Sequence, residues 1–164
     1  MSTPESDSSR PYLIDQPKYR RHIMSEALSE IPHSAVLGLE LVSAERDRAV
    51  MRLPYRDIFI GNPETGALHG GVVLSLVDST SGKAVFCAVP APETIATLDL
   101  RIDYLKPASP GLDLYCMAEC YKLTRTVAFI RAQVYHTEDD PIAHSVSTFM
   151  RASSDVSKST MRGS

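Results

Sequence analysis

Residues 61–82, GNPETGALHGGVVLSLVDSTSG, set a glycine pair and a carboxylate at a fixed spacing. Gly70 and Gly71 follow His69 where a glycine-rich loop turns into a helix, and Asp78 lies further along that helix. The first turn of a helix carries N–H groups without intrahelical partners and a partial positive charge, so it can hold a negative oxygen. Residues without Cβ let a ligand carbonyl approach that backbone. Asp78 is a poor helix former in an apolar run, and a buried carboxylate is costly unless paired. An oxyanion donor, a base or nucleophile, and water are the three participants needed to hydrolyse an activated acyl group. Bland readings stand beside these. The glycines make a tight turn, and Asp78 is a structural carboxylate bonded to Ser75 or Ser79.

Such groups need elements to hold them. A chain of 164 residues is expected to form one domain. The pattern predicts a charged surface helix from Pro17 to Ile31, stopped by Pro32. Two strands follow, Leu39–Ser43 and Ala49–Leu53, around a charged turn. The segment from Gly70 to about Val89 is apolar or small on nearly every side, which places a helix in the middle of a structure. Only Asp78 and Lys83 are charged there, and Lys83 is expected to reach solvent. In TLDLRIDY, strict alternation puts Leu98, Leu100, Ile102 and Tyr104 on one face, and Thr97, Asp99, Arg101 and Asp103 on the other. Long strands with short turns, Asp113–Leu123, Thr126–Thr137 and a last one to Arg151, imply an antiparallel sheet. The fold class is α+β, a sheet wrapped around one buried helix. The domain is expected over 17–151, with mobile polar tails at 1–16 and 152–164.

Composition excludes several classes. Hydrophobic residues make up 43% and charged residues 23%, which is ordinary globular usage. A net charge of −3 offers no general attraction to nucleic acid. The polar, acidic start lacks the features of a signal peptide, and no uncharged apolar run approaches the about 18 residues of a membrane span. Cys87, Cys116 and Cys120 lie in apolar segments and are expected as reduced core thiols of a cytoplasmic protein. Cys116 and Cys120 share a strand face without accompanying metal-ligand residues, so neither metal nor other cofactor is expected.

With the glycine pair, the spaced Asp78, the buried helix and the strand TLDLRIDYLKPASPG on the page, the chain resembles the hotdog-fold acyl-CoA thioesterases of the PaaI-like (phenylacetic acid degradation) type. The resemblance covers about residues 31–151. It implies a hotdog fold and hydrolysis of an acyl-CoA to the free acid and coenzyme A. It also implies that Gly70 N–H binds the thioester carbonyl and that Asp78 activates water or attacks the carbonyl. Thr97 would help hold the water, Asn62 would contact the thioester, and His69, beside Gly71, would fix the loop. Lys106 and Arg125 are candidates for the coenzyme A phosphates, with solvated surface charge as the alternative. The other readings are a hotdog dehydratase or hydratase and a non-catalytic acyl-CoA-binding protein. The remaining histidines receive no role. Gly70 and Asp78 are about 12 Å apart along one helix, too far to serve one thioester. A homodimer with helices antiparallel near Leu74 and Ser75 would join them in shared sites, within a dimer or a tetramer.

Overall fold

The computed structural model describes residues 11–25 and 31–153. Two helices, α1 (Pro17–Ser25) and α2 (Pro32–Leu37), precede strands β1 (Glu40–Glu45) and β2 (Arg48–Leu53). A small hairpin, β3 (Ile60–Asn62) and β4 (Ala67–Leu68), leads into the long helix α3 (Gly70–Ala88). Strands β5 (Glu93–Tyr104), β6 (Leu114–Leu123), β7 (Val127–Tyr135) and β8 (Pro141–Ser153) complete the chain. Six strands form one antiparallel sheet in the order β1-β2-β6-β7-β8-β5. All six contact α3, so the sheet wraps the helix as a hotdog fold requires.

Period-two alternation aims one face of each inner strand at the helix. Met51 and Leu53 of β2, Leu114 and Cys116 of β6, Ile130 and Val134 of β7, and Ala143 and Phe149 of β8 are all buried. Cys87, Cys116 and Cys120 are buried in this core and form no disulfide with one another. From the helix come Val73, Leu76, Val77, Ala84 and Val85. One stripe of α3 stays open: Gly71 and Leu74 are exposed, and Ser75, Asp78 and Gly82 are half-buried. The helix is long and apolar enough to cross a bilayer by composition, yet most of it is buried inside the sheet.

The pairing of β5 with β8 slips once. Thr97 faces Phe149 and Asp99 faces Thr148, which leaves Leu98 as an extra, 58% exposed residue. Such a bulge reverses the alternation beyond it. Thr97 therefore lies on the helix side together with Leu100, Ile102 and Tyr104. This corrects the strict alternation expected from sequence, which put Thr97 on the opposite face and Leu98 inward.

Three further expectations are corrected. Residues 11–16, assigned to a mobile tail, contain a short 3₁₀ turn with Leu13 and Ile14 buried, and Leu13 N–H donates to Val89 C=O. Pro32 starts a helix rather than stopping one, because proline has no N–H to lose at a first helical position. The expected helix to Ile31 is seen as α1, and residues 26–30 lie outside the described residues, as do 1–10 and 154–164. Lys83 does not reach solvent and is 5% exposed.

The β5 and β8 ends are joined by a buried ion pair. Arg151 Nε and Nη2 reach Glu93 Oε2 and Oε1 at 2.8 and 2.6 Å, and Arg151 Nη1 donates to Thr124 C=O. Arg151→Leu, which strands the Glu93 carboxylate, is expected to lower stability by about 3–5 kcal/mol in urea unfolding. The double variant Glu93→Leu/Arg151→Leu should recover most of that loss.

Candidate active site

The β3–β4 hairpin delivers the chain to the start of α3. Gly61 passes so close to this point that a Cβ there would lie 2.7 Å from His69 Cα, which only glycine avoids. His69 N–H donates to Phe59 C=O, and His69 caps the helix. Its Nδ1 accepts the Gly71 N–H at 3.0 Å, which assigns the ring proton to Nε2, and its C=O accepts the Val72 N–H. Two of the first donors are thus engaged. Gly70 N–H has no protein partner among the described residues, so the glycine pair leaves one N–H free rather than two. Gly70 C=O accepts from Tyr104 Oη at 2.7 Å. A Cβ on Gly70 would sit 3.2 Å from that hydroxyl, too close without displacing it. Burial raises the Tyr104 pKa, which keeps the phenol protonated as a donor.

Eight residues along the helix, Thr97 Oγ1 donates to Asp78 Oδ1 at 2.8 Å. Neither serine serves Asp78. Ser75 Oγ donates to Gly71 C=O at 3.0 Å and lies 3.2 Å from His33 Nε2, and Ser79 makes no such bond. The structural reading of Asp78 through Ser75 or Ser79 is therefore set aside by the geometry. The carboxylate is half-buried on the open stripe of α3, with Oδ2 unpartnered among the described residues.

Gly70 and Asp78 belong to different cavities. Gly70 lines one of about 440 Å³ with Tyr104, Leu105, Lys106, Ala108 and Ile142. Asp78 lines another of about 300 Å³ with Thr97, His33, Gly82, Lys83 and Phe149. The two share no residue. One chain therefore holds both kinds of group without bringing them together.

The other sequence candidates are scattered. Asn62 is committed to its own turn: Oδ1 accepts the Glu64 N–H at 3.0 Å, and its C=O accepts from Thr65 and Gly66. It lines neither cavity. Lys106 borders the Gly70 cavity and is ion-paired with Asp140. Arg125 is exposed in the β6–β7 turn, next to Thr126, whose C=O accepts from Arg151. Arg151 pairs with Ile95 near the start of β5, whereas Lys106 follows its end, so the two cations are about 30 Å apart. They do not form one phosphate site within a chain. Sequence reasoning missed the role of Tyr104, which alternation marked only as apolar-face, and His33, whose contact to Ser75 spans 42 residues and leaves no local signal.

Residues 65–143 match the family model described as the thioesterase superfamily. The chain is 29% identical over 133 residues to the medium/long-chain acyl-CoA thioesterase YigI of Escherichia coli, covering 73% of this chain and 85% of that protein. A crystal structure of a Pseudomonas aeruginosa protein superimposes with a TM-score of 0.71 at 43% identity, over 82% of this chain and 98% of the other. The phenylacetic acid degradation protein PaaI of Thermus thermophilus, in a point-mutant structure, does so with a TM-score of 0.65 at 26% identity, over 74% and 99% of the two chains.

The cap can be tested by stability alone. His69→Ala, which frees the Gly71 N–H, should cost about 1 kcal/mol in urea unfolding, with His69→Asn retaining most of it.

Proposed function

The chain belongs to the thioesterase superfamily, and we propose that it hydrolyses acyl-CoA thioesters to the free carboxylic acid and coenzyme A. One observation carries this reading. A helix-start N–H at Gly70, unpartnered among the described residues, and a Thr97-oriented carboxylate at Asp78 stand on the same helix, each lining a cavity. Gly70 N–H stabilises the carbonyl oxygen as it becomes an oxyanion. Asp78, as general base, takes a proton from water whose oxygen bonds to the carbonyl carbon. The C–S bond then breaks, and the departing sulfur takes up the proton held by Asp78. Direct attack by Asp78 would give an acyl-aspartyl intermediate that water cleaves, with the same products. Thr97 fixes the carboxylate for either course.

The two groups are proposed to meet across a homodimer. Antiparallel α3 helices crossing near Leu74 and Ser75 bring Gly70 of one subunit to Asp78 of the other, and Leu74 is 39% exposed on that open stripe. The Gly70 side would receive the coenzyme A arm, with Lys106 as the nearby cation for its phosphates. Arg125 and Asn62 have less support, since neither borders a cavity of the pair. A cytoplasmic setting suits the three reduced thiols.

Asp78→Asn keeps the shape and loses the base, so acyl-CoA hydrolysis should fall at least ~10²-fold while binding persists. Near wild-type turnover would return Asp78 to a structural role. Thr97→Val, which leaves Asp78 in place but unoriented, should reduce kcat by a smaller factor with KM little changed. Subunit exchange tests the shared site. Gly70→Val and Asp78→Asn, each inactive alone, give mixed dimers with one intact site. Roughly a quarter of wild-type activity should return when half the dimers are mixed. Sites built within one chain would restore nothing.

A further inference from the structure

Lys83 is a cation in a place that charged side chains avoid. It is 5% exposed, with no carboxylate within ion-pairing range and no hydrogen bond among the described residues, and the Phe86 ring, its centroid 6.0 Å from Nζ, gives only a distant cation–π contact. Burial lowers its pKa, the sign of a charge poorly served by its surroundings. The nearby acid is already matched, since Glu93 is held bidentately by Arg151. The helix dipole does not help either. Its negative end acts within the last turn, and Lys83 lies more than a turn before Ala88.

Lys83 stands on the acyl side of the proposed site. Lys83 borders the Asp78 cavity and a neighbouring cavity of about 440 Å³, and the two share Ile31, Lys83 and Phe86. The cavity that Asp78 and Lys83 both line has apolar walls from Phe86, Ile95 and Phe149 beside the small polar Ser34 and Ser79, and Gly82 leaves room beside the helix. A Cβ on Gly82 would make only ordinary contacts, at 3.6 and 3.8 Å. Asp78 and Lys83 are about 7.5 Å apart along the helix axis. Among the described residues, the other titratable groups bordering these cavities are His33, Asp78, Tyr19, His22 and Glu93. Burial drives the Tyr19 phenol up to about 12, so it stays neutral.

We propose that Lys83 is a specificity residue that pairs with a carboxylate at the far end of the acyl group, making the preferred substrates coenzyme A monothioesters of dicarboxylic acids about the length of adipate. A passage with apolar walls ending in a buried ammonium that has no carboxylate partner among the described residues fits a chain with an apolar middle and an anionic end. A plain acyl chain would leave the charge desolvated and unmatched, which costs affinity. The inference rests on the thioesterase reading and adds to it the acyl class.

The test compares adipyl-CoA with hexanoyl-CoA, which have the same chain length and differ in the terminal carboxylate. Thiol release is measured for wild type and Lys83→Met, with circular dichroism to verify folding and Lys83→Gln in reserve. The adipyl-to-hexanoyl ratio of kcat/KM should fall about tenfold or more in Lys83→Met, through loss of the adipyl rate and not the hexanoyl rate. Calorimetric binding of both thioesters to Asp78→Asn and Asp78→Asn/Lys83→Met separates the two claims. Hydrolysis of both thioesters with an unchanged ratio overturns the role of Lys83 and leaves the thioesterase reading standing. A Lys83-dependent binding preference without hydrolysis does the reverse. If neither thioester is bound or hydrolysed, both fall.

Discussion

Strand β5 has to hold helix α3 at two points that a regular strand cannot present together. Thr97 reaches Asp78 and Tyr104 reaches Gly70, yet these strand residues are an odd number of positions apart. With a period of two, they would face opposite sides of the sheet. The extra residue at Leu98 removes the conflict, because β8 continues regularly through Phe149, Ser147, Ser145 and Ala143 while β5 slips by one. Both anchors then meet the helix. One fixes the carboxylate, and the other holds the carbonyl of Gly70, the residue whose own N–H is proposed to face an oxyanion. The bulge lies on an edge strand, where the extra residue can turn outward without disturbing a further neighbour.

The same requirement explains what was legible beforehand. Alternation from Leu100 to Tyr104 reads correctly because those residues follow one strand in one register. Thr97 reads incorrectly because nothing in TLDLRIDY signals an extra residue: there is no glycine or proline, and Leu98 has the same character as Leu100. The position of Thr97 was recoverable only through resemblance, which does not depend on register. Helix α3 was legible from its all-round apolarity and its glycine start. Lys83 was not, since a lysine on an apolar helix is ordinarily assumed to extend its stem to solvent. The cavities it borders are lined from α1, Ile31 and β5, all distant in the chain. Leu13 and Ile14 were lost among polar neighbours for a similar reason: two aliphatic residues make a local signal too short to outweigh the composition around them.

Helix geometry also sets how much chemistry one chain can perform. A straight helix cannot bring Gly70 N–H and Asp78 to the same atom, and the separate cavities around them express that distance in the folded protein. The open stripe of Gly71, Leu74, Ser75 and Asp78 is the part of α3 that the sheet does not cover. It contains no large apolar cluster apart from Leu74. Small residues there permit close approach of another helix backbone, as the shared-site proposal requires. His33, bonded to Ser75 on this stripe, borders the same surface from α2.

On this view the two halves of a composite site carry different tasks. The subunit giving Gly70 contributes the oxyanion donor, the Tyr104 anchor and the cavity bordered by Lys106, which is the side of the thiol. The subunit giving Asp78 contributes Thr97, the apolar passage beside Gly82 and the ammonium of Lys83, which is the side of the acyl group. The carboxylate and the acyl-reading cation are therefore coupled through one rigid stretch of α3, and their separation is fixed by helix rise rather than by how the subunits dock. A shift at the subunit interface would change the distance from Gly70 to the carbonyl, and so the rate of the chemical step. It would leave the ruler between Asp78 and Lys83 intact, so discrimination among acyl groups should be less sensitive to the interface than turnover is.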